Sequence, residues 1–193
     1  MLFCLLTPYS LPTGQAGSLL TVSMIFIAGA TGFVGSHLVD YLLGKGERLS
    51  CLVRSERTAG ALAARGVTVF RGDITEPSSL KGAIGPGDFV IHLVGIIEEK
   101  GEATFQRVHV DGTRNLVSEA IRSNAGHFFY QSALGADAGS WSAYLRTKAE
   151  AEELVSRGGL PFTIFRPSLI IGPWDGFTRK ILDLLRLSPV IPI

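Results

Sequence analysis

Cysteine is nearly absent: Cys4 and Cys51 are the two in 193 residues, and neither stands in Cys-x-x-Cys spacing. A disulfide framework and a thiolate metal knuckle are both excluded, and a reducing compartment is the natural setting. Charge of one sign is equally scarce, since 18 basic and 17 acidic residues leave a formal net charge of +1. That balance gives no electrostatic footprint for nucleic acid or an anionic membrane. His37, His92, His109 and His127 are scattered over separate segments without metal-ligand spacing, so core or surface roles are expected and no metal site. There is no repeat, heptad or low-complexity tract. The N-terminal apolar run Met1–Leu6 lacks a basic flank and is too short for a signal peptide or a membrane span. With Pro8, Pro12, Gly14 and Gly17 behind it, the segment 1–23 is expected to lie outside the fold, and Met24 is a candidate physiological start.

What the chain has in quantity is apolar residues, 46% of the total, and 23 glycines. The informative glycines are those of Gly29-Ala30-Thr31-Gly32-Phe33-Val34-Gly35, between the apolar run Met24–Ala28 and a helix-like stretch, Ser36–Leu43. Strand, glycine turn and helix in that order form the entrance to a dinucleotide-binding βαβ unit. One glycine permits the tight turn, one lets backbone approach a pyrophosphate, and one lets helix and sheet pack closely. Backbone N–H groups and the helix dipole then hold the phosphates. A tight βα turn without a ligand is the bland alternative.

From Met24 onward, strand-like runs alternate with helix-like stretches, which predicts a doubly wound parallel sheet in three layers, α/β/α. After the first turn comes a helix to about Gly44, then strands over 48–53, 67–70, 88–95, 127–131 and 162–166. Short helices are expected over 58–64 and from Pro77, a long one over 104–123, and others over 142–156 and 177–187. One domain, 24–193, accounts for the whole pattern. The closing run Ser188–Ile193 is apolar and contains Pro189 and Pro192; such a run normally leads into further structure, so a fragment is expected.

Four groups of residues carry candidate chemistry. Arg54 stands 19 residues past Gly35, where a dinucleotide fold reads the adenosine ribose; an arginine there suits a 2′-phosphate, so with Arg57 nearby the cofactor leans to NADP over NAD. The alternative is a solvated charge at a strand end. Asp73 and Ile74 follow the third strand and Leu93, Val94 and Gly95 close the fourth, at the sheet edge where open α/β folds bind ligands. Asp73 can accept from an adenine amino group, or serve as a turn residue before Thr75. Gly95 leaves room for a ribose. Tyr144 and Lys148, four apart on a helix, share one face, so the ammonium is expected near the phenol, favouring its ionised form. Such a phenol exchanges a proton with a carbonyl or alcohol while a nicotinamide exchanges hydride. Ser132, twelve residues before Tyr144, is placed to bond the same oxygen. A surface pair is the bland reading of Tyr-x-x-x-Lys. The acids of Lys148–Glu153 read as a solvated helix face, and Arg166-Pro167-Ser168 either lines the nicotinamide end or ends a strand.

Together, Gly29-x-x-Gly32-x-x-Gly35, Gly72-Asp73-Ile74, Val110-Asp111-Gly112-Thr113, Ser132, Tyr144-x-x-x-Lys148 and Arg166-Pro167-Ser168 resemble the short-chain dehydrogenase/reductase superfamily in its extended and atypical branches. The segments 92–97, 132–136 and 143–150 look most like the nucleotide-binding accessory subunit of respiratory complex I and its bacterial relatives. The resemblance implies a Rossmann-type domain, bound NAD(P) held by Gly29, Thr31, Gly32, Phe33, Val34, Gly35, Arg54, Asp73, Ile74, Leu93, Val94, Gly95, Tyr144, Lys148 and Pro167, and a Ser132, Tyr144, Lys148 set for catalysis. It also implies a smaller C-terminal substrate lobe, starting about where this chain ends. The substrate would be a carbonyl compound or resemble a nucleotide sugar. The alternative is a non-catalytic nucleotide-binding module of a respiratory NADH:quinone oxidoreductase, cytoplasmic or peripheral at the inner membrane. Two departures bear on catalysis: His109 stands where active members carry Asn, and Ala133 where extended members often carry a second serine.

Overall fold

The computed structural model describes residues 23–173 and, beyond them, Asp175, Gly176, Thr178, Asp183, Leu185 and Arg186. The expected extension 1–23, except Ser23, and the tail 188–193 lie outside the described residues. So does much of the expected helix 177–187, although Thr178, Asp183, Leu185 and Arg186 within it are helical.

Six strands form the sheet: β1 Ile25–Ala28, β2 Leu49–Val53, β3 Thr68–Arg71, β4 Phe89–His92, β5 His127–Gln131 and β6 Phe162–Phe165. Their order is β3-β2-β1-β4-β5-β6, with every neighbouring pair parallel. The strand order reverses between β1 and β4, and crevices for ligands open at such a reversal, outside the carboxyl ends of the strands. Ile27 of β1 pairs with Cys51 of β2 on one side and Ile91 of β4 on the other, so the glycine turn leaves the sheet at its centre.

Side chains alternate between two cores, as the strand period of two requires. Phe26, Ala28, Val90, Phe128 and Tyr130 pack against Leu116, Val117 and Ala120 of α3 (Gly112–Arg122) and Ala151 and Val155 of α4 (Ala143–Arg157). Ile27, Leu49, Cys51, Val53 and Ile91 meet Val39 of α1 (Phe33–Gly44) and Ala59 and Leu62 of α2 (Glu56–Ala63). Each fully buried aliphatic or aromatic side chain contributes about 1.5–3 kcal/mol of transfer free energy.

Several boundaries differ from the sequence expectation. The second helix begins at Glu56, not at 58, because Ser55 caps it: its Oγ accepts from the Thr58 N–H at 3.2 Å. The segment from Pro77 is a single 3-10 turn, Pro77–Leu80. The fourth strand ends at His92, and Leu93–Gly95 leave the sheet as loop. The long helix over 104–123 is not uniform: Gln106–Asp111 form a π-helical segment before α3. Wider turns of this kind recur at functional sites.

Candidate functional site

The glycine turn is built from backbone. Gly29 has φ +96, a conformation that side chains resist, and a Cβ there would lie 3.0 Å from the backbone of Leu93 and Val94. Gly32 donates its N–H to the Gly29 carbonyl at 3.1 Å. At Gly35 a Cβ would fall 2.1 Å from that same carbonyl oxygen, so helix α1 touches the strand end only because the side chain is missing. Gly32 caps α1 without a side-chain hydrogen bond, and no acidic residue occupies the first turn. The first N–H groups of α1 are therefore left to an anion.

Over this turn lies a cavity of about 420 Å³, lined by Gly29, Thr31, Gly32, Arg54, Asp73, Ile74, Leu93, Val94 and Gly95. Nine of the sequence candidates thus share one wall. Ile96, Glu102 and Arg107 line it as well and were not singled out from the sequence. Arg107 bonds Glu102 at 2.6 Å and Glu76 at 3.2 Å, a tie that sequence distance conceals. Phe33 and Val34 open α1; the Phe33 ring stacks edge-on against His37 and lies 3.1 Å from where a Gly172 Cβ would be.

Asp73 takes the expected turn role and also faces Arg54. One carboxylate oxygen accepts from the Thr75 N–H and hydroxyl, each at 2.9 Å, and the other faces Arg54 at 3.6 Å. Arg54 itself is 82% exposed over the cavity. Ile74 is seated by Gly112, where a Cβ would come within 2.5 Å of the Ile74 side chain.

The second group departs from expectation. Lys148 is 4% exposed and does not turn to Tyr144: its Nζ donates to the Gln131 carbonyl at 2.8 Å and to the Tyr130 hydroxyl at 3.3 Å. Burial lowers its pKa to about 8. The Tyr144 pKa is raised above the ordinary phenol value by burial, with no lowering by Lys148, so the expected stabilisation of the ionised form is not what the structure gives. Tyr144 instead lies edge-on to Phe105 and His109, at centroid distances of 5.8 and 5.4 Å. The solvated face expected over Lys148–Glu153 holds for Glu150 and Glu153, which are exposed, but Lys148 and Glu152 are both buried, and Glu152 forms an ion pair with Arg166. The reason is α4 itself, which lays Lys148, Ala151, Glu152 and Val155 against the sheet.

Ser132 is buried, and its hydroxyl is without a hydrogen-bond partner among the described residues. Buried hydroxyls in that condition are uncommon; the Ser50 hydroxyl in β2 is another among the described residues. Neighbouring Ala133 is also buried. Pro167 meets the same loop, its carbonyl accepting from the Leu134 N–H at 2.8 Å, while Arg166 is drawn aside to Glu152. The two groups of residues converge at Gly95, which lines the cavity and where a Cβ would lie 3.4 Å from Lys148 Nζ.

A family model described as NAD(P)H-binding matches residues 29–176. The chain belongs to this NAD(P)H-binding family, in its extended short-chain dehydrogenase/reductase or epimerase-like form. Ceramide reductase of Caulobacter vibrioides is 34% identical over 170 residues, covering 88% of this chain and 53% of that protein. The mitochondrial NADH-ubiquinone oxidoreductase 40 kDa subunit of Neurospora crassa is 25% identical over 162 residues, covering 82% of this chain and 43% of that one. Among solved structures, gox2253 matches with a TM-score of 0.70 and 26% identity, covering 83% of this chain and 57% of that one. The chain therefore spans about half the length of these relatives. The donor set fits the family's dinucleotide: a glycine cradle that a Cβ would fill, an uncapped helix N-terminus above it and an exposed arginine at the far rim. NAD and NADP are both accommodated by that description. Among the described residues no helix is long and apolar enough to cross a membrane.

Proposed function

We propose that this NAD(P)H-binding domain takes part in reducing a carbonyl compound, with NADP(H) preferred. The observation that carries the reading is the juncture at Gly95, where the glycine-cradled cavity meets the Lys148 ammonium. When bound, the dinucleotide supplies hydride. Burial keeps the Tyr144 phenol protonated, so its hydroxyl is poised to donate a proton to a carbonyl oxygen, the role that reduction requires. The Ser132 hydroxyl orients that oxygen. Lys148 spends two of its three N–H donors on Gln131 and Tyr130, which leaves one for a ribose hydroxyl. Gly29, Thr31, Gly32, Phe33, Val34 and Gly35 hold the pyrophosphate, Asp73, Ile74, Leu93 and Val94 flank the adenosine, and Pro167 closes the nicotinamide end. Arg54 supports the NADP preference, since its guanidinium is exposed and, among the described residues, is paired with Asp73 alone, at 3.6 Å.

The substrate we infer has a large apolar body. Ile97, Leu134, Trp141, Leu169 and Ile171 are all exposed, Trp141 at 96%, and all lie in loops leaving β4, β5 or β6. The Caulobacter relative is named for ceramide, a lipid of that kind. The Neurospora relative supports a second reading, a nucleotide-holding module at a respiratory membrane without turnover. Tyr144→Phe separates the two: assayed with NADPH and a long-chain ketone, turnover should fall by at least about 10²-fold with nucleotide Kd unchanged. A wild-type chain that retains nucleotide but shows no Tyr144-dependent reduction would overturn the catalytic reading in favour of the module.

A further inference from the structure

Tyr130, one residue before the end of β5, is the largest fully buried side chain among the described residues. Its hydroxyl accepts from Lys148 Nζ at 3.3 Å, and the same ammonium lies 4.8 Å from the centroid of its ring. The neighbouring Gln131 carbonyl takes a second Lys148 N–H at 2.8 Å. Glu152, whose charge supports the ammonium, is itself shared with Arg166, which bonds it through Nε at 2.8 Å and through Nη2. The other titratable groups around it bring no negative charge. Burial, aided by the Lys148 charge itself, holds His92 on β4 at a pKa of about 3 and His109 on the π-helical segment at about 4. Burial also keeps the Tyr130 and Tyr144 phenols protonated. A Cβ at Gly95, which lines the cavity, would lie 3.4 Å from Nζ, so the ammonium stands just behind the cavity wall.

A buried ammonium keeps its proton only where polar partners replace water. Tyr130 supplies two kinds, a hydroxyl oxygen and the negative face of a ring. We propose that Tyr130 is a positioning residue: it holds the Lys148 ammonium against the end of β5 and leaves its third N–H to the Gly95 side of the cavity. The charge matters because an ammonium has three N–H donors and an amine two. With Gln131 and Tyr130 taking two, only the charged form has one left for a ribose hydroxyl. Burial lowers the Lys148 pKa to about 8, so that donor is lost as pH rises past this value. The phenol is itself fixed, since its ring belongs to the core with Phe128, Leu116 and Ala151 and lies 5.3 Å from the His92 ring. The inference rests on the proposed contact of Lys148 with the nucleotide only for its consequence in binding.

Two variants divide the side chain: Tyr130→Phe keeps the ring and removes the oxygen, and Tyr130→Leu removes both. Titration of Lys148 Nζ by NMR, in the full chain without nucleotide, should show a lower midpoint in Tyr130→Phe than in wild type and a lower one again in Tyr130→Leu. At pH 7 the NADPH Kd should rise about fivefold in Tyr130→Phe. The Kd of 2′,5′-ADP, which lacks the nicotinamide ribose, should stay within about twofold. With Lys148→Met already in place, Tyr130→Phe should have no further effect on NADPH, because the coupling runs through the ammonium. An unchanged Lys148 midpoint in Tyr130→Phe overturns the proposal. So does an equal rise in NADPH Kd on the Lys148→Met background, the signature of a phenol that merely packs. The proposed function fails separately: a Lys148→Met chain that binds NADPH as wild type does takes the ammonium off the nucleotide, while the Lys148 midpoint in Tyr130→Phe still decides whether Tyr130 holds it.

Discussion

The two ends of the groove are made of different material. The glycine turn at β1–α1 is backbone: its geometry comes from missing side chains, and Gly35 touches the Gly29 carbonyl because nothing stands between them. The end at β5–α4 is side chain: Tyr144, Lys148 and His109 are placed by partners on other elements. A backbone site tolerates little change at its glycines and is nearly indifferent to its neighbours. A side-chain site depends on contacts far away in sequence.

The sharpest way to break the first end is Gly35→Ala. A Cβ 2.1 Å from a carbonyl oxygen must push α1 off the strand; we expect a loss of about 3 kcal/mol and no measurable nucleotide binding, read by chemical denaturation and titration. Acid distinguishes the ends next. Burial lowers the His92 pKa to about 3 and the His109 pKa to about 4. The unfolded chain therefore binds more protons below pH 6.5, and stability present above that pH is lost as it falls towards 4. Urea midpoints measured from pH 7 to 4.5 should decline, and the decline should shrink in His109→Gln. A decline that is unchanged in His109→Gln would contradict this assignment. The smallest of the three effects is expected at the exposed rim: Arg54→Glu should weaken NADPH about tenfold, roughly 1.4 kcal/mol, and leave NADH within a factor of about three. Equal changes for both nucleotides would remove Arg54 from cofactor choice.

Legibility followed the same division. The parallel sheet and the strand carrying the glycine turn could be read from alternating runs and glycine spacing, because both express local rules of period and steric room. Leu93, Val94 and Gly95 were placed at the right edge although they are loop and not strand. Lys148 could not be read correctly: spacing put it on a face with Tyr144, but the Gln131 carbonyl and Tyr130 hydroxyl that take its protons belong to β5. The π segment was equally hidden, since one wider turn leaves the helical pattern of 104–123 almost intact. Nothing in its own segment marks Arg107, because its partner Glu76 lies 31 residues away.

Ser132 carries a thermodynamic consequence. A buried hydroxyl with no partner costs the folded chain about 1–3 kcal/mol, a penalty that a substrate oxygen would relieve. Selection for stability alone would discard such a group. Ser132→Ala should accordingly raise the melting temperature of the ligand-free chain, by a few degrees at most, while impairing reduction, and calorimetry beside a turnover assay would show the two moving in opposite directions. The Ser50 hydroxyl in β2 is buried without a partner as well, so the fall in reduction, not the gain in stability, is what would tie Ser132 to a ligand.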